Sequence, residues 1–478
     1  MSDVRARVEK IRARLPHPVI DSDGHDIEYL PLVREELRAL AGQGAVDRFE
    51  LMVKGASLAR GLDDATRRAQ GLMRIPWWGL PAKNTLDRAT AMLPRLLHER
   101  LDAIGIDFAV IYPTYGLMAL SAEPDEVRQA ACRAFNRYHA EVFRGLGDRL
   151  ASVALIPMHT PAEAVAELDH AVGTLGFRAV LLAGHVMRPL PGENVPRGAR
   201  WLDSFGAESE HDYDPVWARC EALGVAPTFH SSGMGWGGRN SLHNYVFNHL
   251  GNFAAAGEAT CRALFLHGVP RRFPRLRFAF LEGGVAWAAQ LVADLVGHFE
   301  KRNREAIRSY DPAALDRERL AELTKQWGAP RVVERLGELD ANLHLLSEPD
   351  EDPARLDEFA ATGVTSAEAL ARLFAERFFF GCEADDPLNA LAYERGRSPF
   401  GLGLHALFGS DIGHWDVPEI DHVLPEAWEL VEDGIVSEED FRRFVFASPV
   451  ALWSASNPDF FAGSAVAEAV AKERERGA

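Results

Sequence analysis

The sequence predicts an α/β protein, a closed parallel (β/α)8 TIM barrel with helical insertions. Three observations carry that expectation. Eight short β-branched or aromatic runs recur along the 478 residues. Longer segments with apolar residues at three-to-four spacing lie between them. No stretch reads as a linker, so the length suits one large unit with insertions. Strands alternating with helices also fit a doubly wound sheet, but strand number and chain length favour the barrel.

In chain order, residues 1–16 read as an N-terminal helical extension whose acids and missing apolar core exclude a signal peptide. The barrel is expected over 17–462. Its strands are "PVIDSDG" from 18, "DFAVIYP" at 107–113, "LASVALIP" at 150–157, "FRAVLLAG" at 177–184, "VAPTFHSS" at 225–232, "LRFAFLEG" at 276–283, "RFFFGCEAD" at 377–385 and "HALFGSDI" at 405–412. Helices are expected from 123, from 160 and from 214, the last two opening on Thr160 and Asp214 and closing on Gly. Two insertions interrupt the alternation, at about 30–100, including the aromatic loop "MRIPWWGLPAKN", and at 301–376, which is charged and helical. Residues 463–478 read as a solvated tail.

Composition narrows the function. Hydrophobic residues at 47% and charged residues at 26% suffice for a full core. The net charge of −18 and the lack of a basic stripe exclude nucleic acid as a natural partner. No apolar run is long enough for a membrane span. Cys132, Cys220, Cys261 and Cys382 form no CxxC pair and read as reduced thiols, so a cytoplasmic protein acting on a small molecule is expected. The insertion at 301–376 suggests a homodimer.

Polar residues gather at the C-terminal strand ends, where barrel enzymes place their chemistry. They are Asp21, Asp23 and His25 after the first strand, His230 after the fifth, Glu282 after the sixth, Glu383 and Asp385 after the seventh, and Asp411 with His414 after the eighth. Strand alternation would turn Asp21, Asp23 and His25 to one side. Mixed imidazole and carboxylate donors suit zinc, manganese or iron better than calcium or magnesium. With three or four protein ligands a coordination position stays open for water. Beyond the fifth strand, Gly235, Gly237 and Gly238 suggest a mobile loop beside Arg239, a candidate anchor for a substrate carboxylate, and His249 is a candidate catalytic residue on a helix. Trp78 is a candidate pocket wall, as is its neighbour Trp77. His267 reads as a core or capping residue, and His243 and His298 are weaker candidates.

On "DSDGH", "PTFHSSG", "RFPRLRFAFLEGG", "FGSDIGHWD" and "NPDFF", the chain resembles the amidohydrolase superfamily, in particular the branch that includes aminocarboxymuconate-semialdehyde decarboxylase and related decarboxylases and C–C hydrolases. The resemblance implies a metal held by Asp23, His25 and His230, with Asp411 binding the metal or handling the proton. It departs at two places: Asp23-Gly24-His25 replaces a His-x-His, and Glu282-Gly283-Gly284 stands where the branch has a His before Gly-Gly. Glu282 is therefore read either as a metal ligand or as a catalytic group. No Lys ends the fourth strand, so a carbamylated-lysine bridge is not available.

The leading expectation is a metal-dependent hydrolase or decarboxylase acting on a small organic acid, amide, ester or ring-cleavage product, with one or two divalent ions, zinc first. Asp411, Glu282 and His249 are its candidate catalytic residues. Arg239, His414 and Trp78 are its candidates for substrate binding. The surplus of carboxylates supports an alternative, a dinuclear iron or manganese oxygenase on the same barrel. A third reading is a non-catalytic metal-binding subunit of a hetero-oligomer.

Overall fold

The computed structural model describes residues 2–58, 61–69, 74, 79–195, 199–206, 208–230, 241–343, 352 and 355–477. Eight strands pair in parallel in the order Ile20–Asp26, Phe108–Pro113, Leu150–Ile156, Ala179–Ala183, Pro227–His230, Phe278–Phe280, Phe378–Cys382 and His405–Phe408. Every one overlaps an expected run. These strands are buried along almost their whole length, as strands covered on both faces must be. The "FFF" run of the seventh strand shows how both faces are filled. Phe378 and Phe380 meet Phe374 of the preceding helix, while Phe379, on the other side, stacks on His405 of the eighth strand at 4.3 Å.

The first and last strands meet through backbone bonds beyond the regular ladder. Asp411 N–H donates to the Asp23 carbonyl at 2.9 Å, and His25 N–H donates to the Ile412 carbonyl at 3.0 Å. The seam that closes the barrel therefore runs through the strand ends where the candidate site lies.

Helices form where the periodicity predicts them, at Asp125–Val142, Pro161–Leu168 and Asp214–Leu223. Thr160 opens the second with a capping box to Glu163, and Gly224 ends the third in the left-handed conformation. The helix Ser2–Arg12 buries Val8 and Ile11 against the barrel. From 30 to 104 the chain forms helices Leu30–Ala41, Gln43–Leu58, Asp64–Ala69, Thr85–Met92 and Pro94–Ile104. Later, helices Arg317–Trp327, Pro330–Glu334 and Leu339–Leu343 contain no buried residue. The segment expected as a solvated tail forms the helix Ala467–Gly477, with Val466 and Val470 buried. Two short strands, Val186–Pro189 and Arg200–Asp203, form an antiparallel hairpin that the sequence reading did not anticipate. All four cysteines are free and buried. Among the described residues, no helix is long and apolar enough to cross a membrane.

Candidate metal centre

All seven residues of the first strand are buried, and its pairing with the second strand shifts between Asp21 and Gly24. This irregularity breaks the alternation expected to align Asp21 with Asp23 and His25. Asp21 turns to the eighth strand's end instead: the Ser410 hydroxyl donates to its Oδ2 at 2.5 Å, and the Ser410 and Asp23 N–H groups donate to its Oδ1, each at 3.0 Å. Burial lifts its pKa to about 6, opposed by those three bonds. Gly24 follows from the same packing, because a Cβ there would sit 2.7 Å from Asp21 Oδ2. Asp21 thus belongs to the scaffold of the seam, a correction to the expectation that it lines the mouth with Asp23 and His25.

Those two do face the cluster. His25 Nε2 lies 3.5 Å from Asp23 Oδ1 and 3.5 Å from Asp411 Oδ1. Its Nδ1 faces the Pro113 carbonyl at 3.4 Å. With the proton on Nδ1, the Nε2 lone pair points among the carboxylates, as a ligating imidazole requires. His230, ending the fifth strand, packs edge-on to His25 with ring centres 5.1 Å apart, and its Nε2 lies 2.6 Å from Glu282 Oε2.

Glu282 and Asp411 hold backbone φ values of 56° and 47°. Such left-handed geometry in residues with a Cβ costs on the order of 1 kcal/mol each and clusters at functional sites. It lets each strand end turn sharply while its carboxylate stays at the mouth. Asp411 Oδ1 is 2.5 Å from His414 Nδ1, and the His414 ring lies over His25 with centres 3.9 Å apart. Thr114 Oγ1 is 3.5 Å from His414 Nε2.

The electrostatics have one direction. Burial pushes Asp23, Glu282, Glu383 and Asp411 well above the usual carboxylate range, and the charge of Glu282 adds to the shift in the other three. Burial also depresses His25 strongly and takes His414 down to about 3, helped in both by neighbouring imidazoles. Every group is driven toward its neutral form, as expected where donors converge without compensating charge.

A divalent cation fits this arrangement. Asp23 Oδ1, His25 Nε2, Glu282 Oε2 and both Asp411 carboxylate oxygens are buried and make no hydrogen bond to the described residues. Lone pairs aimed at one another are satisfied by a metal ion, and mixed nitrogen and oxygen donors suit zinc, manganese or iron. Asp23, His25 and His230 offer ligand atoms within 4.8 Å of one another, as do His25, Glu282, Asp411 and His414.

Other candidates fall in varied places. His249 ends the short helix Tyr245–His249, where its ring meets Tyr245, Phe253 and Trp415 edge-on or tilted. A third donor group joins His249, Glu282 and Asp416. Asp416 was missed by the sequence reading, although it closes the "FGSDIGHWD" segment five residues beyond Asp411. Asp385 is exposed, and its charge acts on Glu383, which is mostly buried beside the cluster. His267 caps the helix Asn252–Leu266, His243 pairs with Asp64 at the surface, and His298 bonds its own helix backbone. Arg239, Trp77, Trp78, Gly235, Gly237 and Gly238 lie outside the described residues. A cavity of about 1020 Å³ opens at the opposite end of the barrel beside His405 and Arg443, and it contains none of the cluster residues. The converging donors, not cavity size, mark the site.

A parallel eight-stranded barrel with imidazoles and carboxylates gathered at the C-terminal ends of its strands defines a metal-dependent barrel enzyme. The family model described as Amidohydrolase matches residues 100–376, more than half of the chain, and the chain belongs to the amidohydrolase family. Decarboxylase orsB of Emericella nidulans is 28% identical over 172 residues, 31% of this chain and 42% of that protein. The chain therefore spans less than half the length of that curated relative. An amidohydrolase structure from Mycobacterium avium subsp. paratuberculosis K-10 is similar at 19% identity, with a TM-score of 0.48 and coverage of 92% of this chain and 100% of that one. A 2,6-dihydroxybenzoate decarboxylase structure from Rhizobium has 15% identity and a TM-score of 0.43, covering 92% of this chain and 99% of that one.

Proposed function

We propose that the chain is a metal-dependent hydrolase acting on a small amide, ester or ring-cleavage product of an organic acid. The observation that carries this reading is the convergence of Asp23, His25, His230, Glu282 and Asp411 at one mouth, with buried lone pairs facing one another. Asp23, His25 and His230, with Glu282 and Asp411, would hold a divalent ion, zinc first by donor chemistry and manganese or iron next. When bound, the ion supplies an acidified water and polarises a substrate carbonyl.

The chain's own residues orient that chemistry. Asp411 takes the proton that the attacking water loses. His414 Nδ1 stands 2.5 Å from Asp411 Oδ1 and its Nε2 3.5 Å from the Thr114 hydroxyl, which places the imidazole beside the carboxylate where it can position a substrate. The rings of Tyr245, His249 and Trp415 pack on one another beside the cluster.

Glu282 stands where the branch has a His before Gly-Gly, and that departure supports hydrolysis ahead of decarboxylation. Decarboxylation is the second reading, supported by the decarboxylase relative. Assays of the metal-loaded chain against acylated amines, esters and hydroxybenzoic acids separate the two by product: an acid carrying oxygen from labelled water, or carbon dioxide. Running them without dioxygen tests the oxygenase alternative, whose turnover would stop. A chain that retains no metal after production with zinc, manganese and iron supplied would overturn the whole reading.

A further inference from the structure

We infer that the N-terminal face of the barrel, opposite the metal centre, carries a binding site for a phosphorylated small molecule. The guanidinium groups of Arg277 and Arg377 would hold its phosphate, and its body would sit in the cavity beside His405. The inference stands apart from the metal-dependent reading above.

The two arginines are brought together by the sheet. Each immediately precedes a strand, the sixth and the seventh, and the pairing of those strands sets Phe278 beside Phe378. Their side chains then meet at one atom: Arg277 Nη1 donates to the Pro274 carbonyl at 3.3 Å, and Arg377 Nη1 donates to the same oxygen. Arg277 Nη1 also donates to the Leu276 carbonyl at 3.0 Å. A guanidinium has five N–H donors, so these bonds leave most of them free for an acceptor. Arg377 Nε is buried and has no hydrogen-bond partner among the described residues. Buried donors of this kind call for an acceptor.

Charge supplies the independent argument. Neither guanidinium forms an ion pair with a described Asp or Glu; the exposed Glu376 acts on both from beyond ion-pair distance. Burial, and next the charge of Arg377, brings Arg277 down to about 10, and burial lowers Arg377 as well. Two like charges held on one carbonyl and partly withdrawn from water are costly without a counter-ion. A phosphate monoester carries a charge of about −1.5 to −2 and three strong acceptor oxygens, which matches two guanidinium forks, whereas a carboxylate brings one charge. Room for the rest of the molecule lies next door. His405, close enough to Arg277 to feel its charge, lines the cavity of about 1020 Å³, whose walls include the apolar Leu404, Val450 and Ala451 and the cationic Arg395 and Arg443.

The test is calorimetric titration of the full chain with inorganic phosphate and with phenylphosphonate, a comparable oxyanion on an apolar ring that hydrolysis cannot release, at fixed ionic strength in chloride. Both should bind saturably, phenylphosphonate the more tightly. Arg277→Gln and Arg377→Gln, checked for native circular dichroism, should each weaken phenylphosphonate about tenfold or more, the loss expected for a charge-assisted hydrogen bond. Arg377→Lys keeps the charge without the fork and should fall between, which preserves the test if a Gln variant fails to fold. Asp23→Ala, altered at the opposite mouth, should bind phenylphosphonate as the wild type does. Unchanged affinity in both Gln variants, binding lost in Asp23→Ala, or no saturable binding by the wild type at millimolar concentration overturns the site and leaves the hydrolase reading intact. Equal affinity for the two probes overturns the seat in the cavity and identifies the ligand as an inorganic anion only.

Discussion

Ser410→Ala tests whether Asp21 belongs to the barrel seam or to the metal site. The substitution removes the hydroxyl that donates to Asp21 Oδ2 at 2.5 Å and accepts from Ile412 N–H at 3.3 Å. A hydrogen bond to a buried charged group contributes about 2 kcal/mol and a neutral one about 1 kcal/mol, so the expected loss is about 3 kcal/mol. Two N–H bonds to Asp21 Oδ1 remain, so the strands should still close. Urea unfolding followed by tryptophan fluorescence, in chelator to remove any contribution from bound metal, measures the loss. Asp21→Asn keeps an acceptor for both N–H groups and carries no charge, so the two substitutions together should cost less than their sum, with a coupling of about 1–2 kcal/mol. Metal content of Ser410→Ala should match the wild type. A loss below about 0.5 kcal/mol, or a chain that keeps its stability and loses its metal, would refute the scaffold role of Asp21.

The other expectations concern separate places. Asp23→Ala and His230→Ala should abolish metal retention and activity while far-ultraviolet circular dichroism stays native; full metal occupancy in both would sink the ligand assignment. Gly24→Ala places a Cβ 2.7 Å from Asp21 Oδ2 and should destabilise the fold by about 1–3 kcal/mol, seen as a lower thermal midpoint, and an unchanged midpoint would contradict the close packing. His405 is held down to about 4, by burial first and by the Arg277 charge second. Its folded pKa lies below the unfolded value, so the unfolded chain binds more protons between pH 4 and 6.5 and stability falls as pH drops through that window. Between pH 7.5 and pH 5 this one residue should remove about 2 kcal/mol, a loss that His405→Phe, stacked on Phe379, should abolish. An unchanged pH slope in that variant would refute the account.

The barrel was legible because its strands are short, apolar on both faces and separated by helical periodicity, a pattern that burial imposes directly on residue choice. Asp23, His25, His230, Glu282 and Asp411 could be collected from sequence because each stands at the end of such a run. The role of Asp21 could not, since it depends on a shift of strand register that periodicity assumes absent, and on Ser410, far away in the chain. The hairpin Val186–Pro189 with Arg200–Asp203 was hidden by its shortness and its Pro- and Gly-rich connection; Arg188 bonded to Asp203 at 2.6 Å adds a tie that spacing does not announce. Asp416 was overlooked because it sits past the strand end, in a turn shaped by the left-handed backbone at Asp411 and the positive φ of Gly413.

The closing seam has a consequence for the life of the protein as well as its chemistry. Ser410 and Asp21 are 389 residues apart in the chain, and the donors Asp23 and Asp411 flank the same junction. An ion held by both is a clasp on one very long loop, so its binding energy adds directly to the stability of the closed ring. Withdrawing the ion should unzip the molecule from this one edge, with amide exchange rising first at His25 and Asp411 while the third and fourth strands stay protected. With the proposed ligands, metal supply would then set how long each folded copy survives as well as how fast it works.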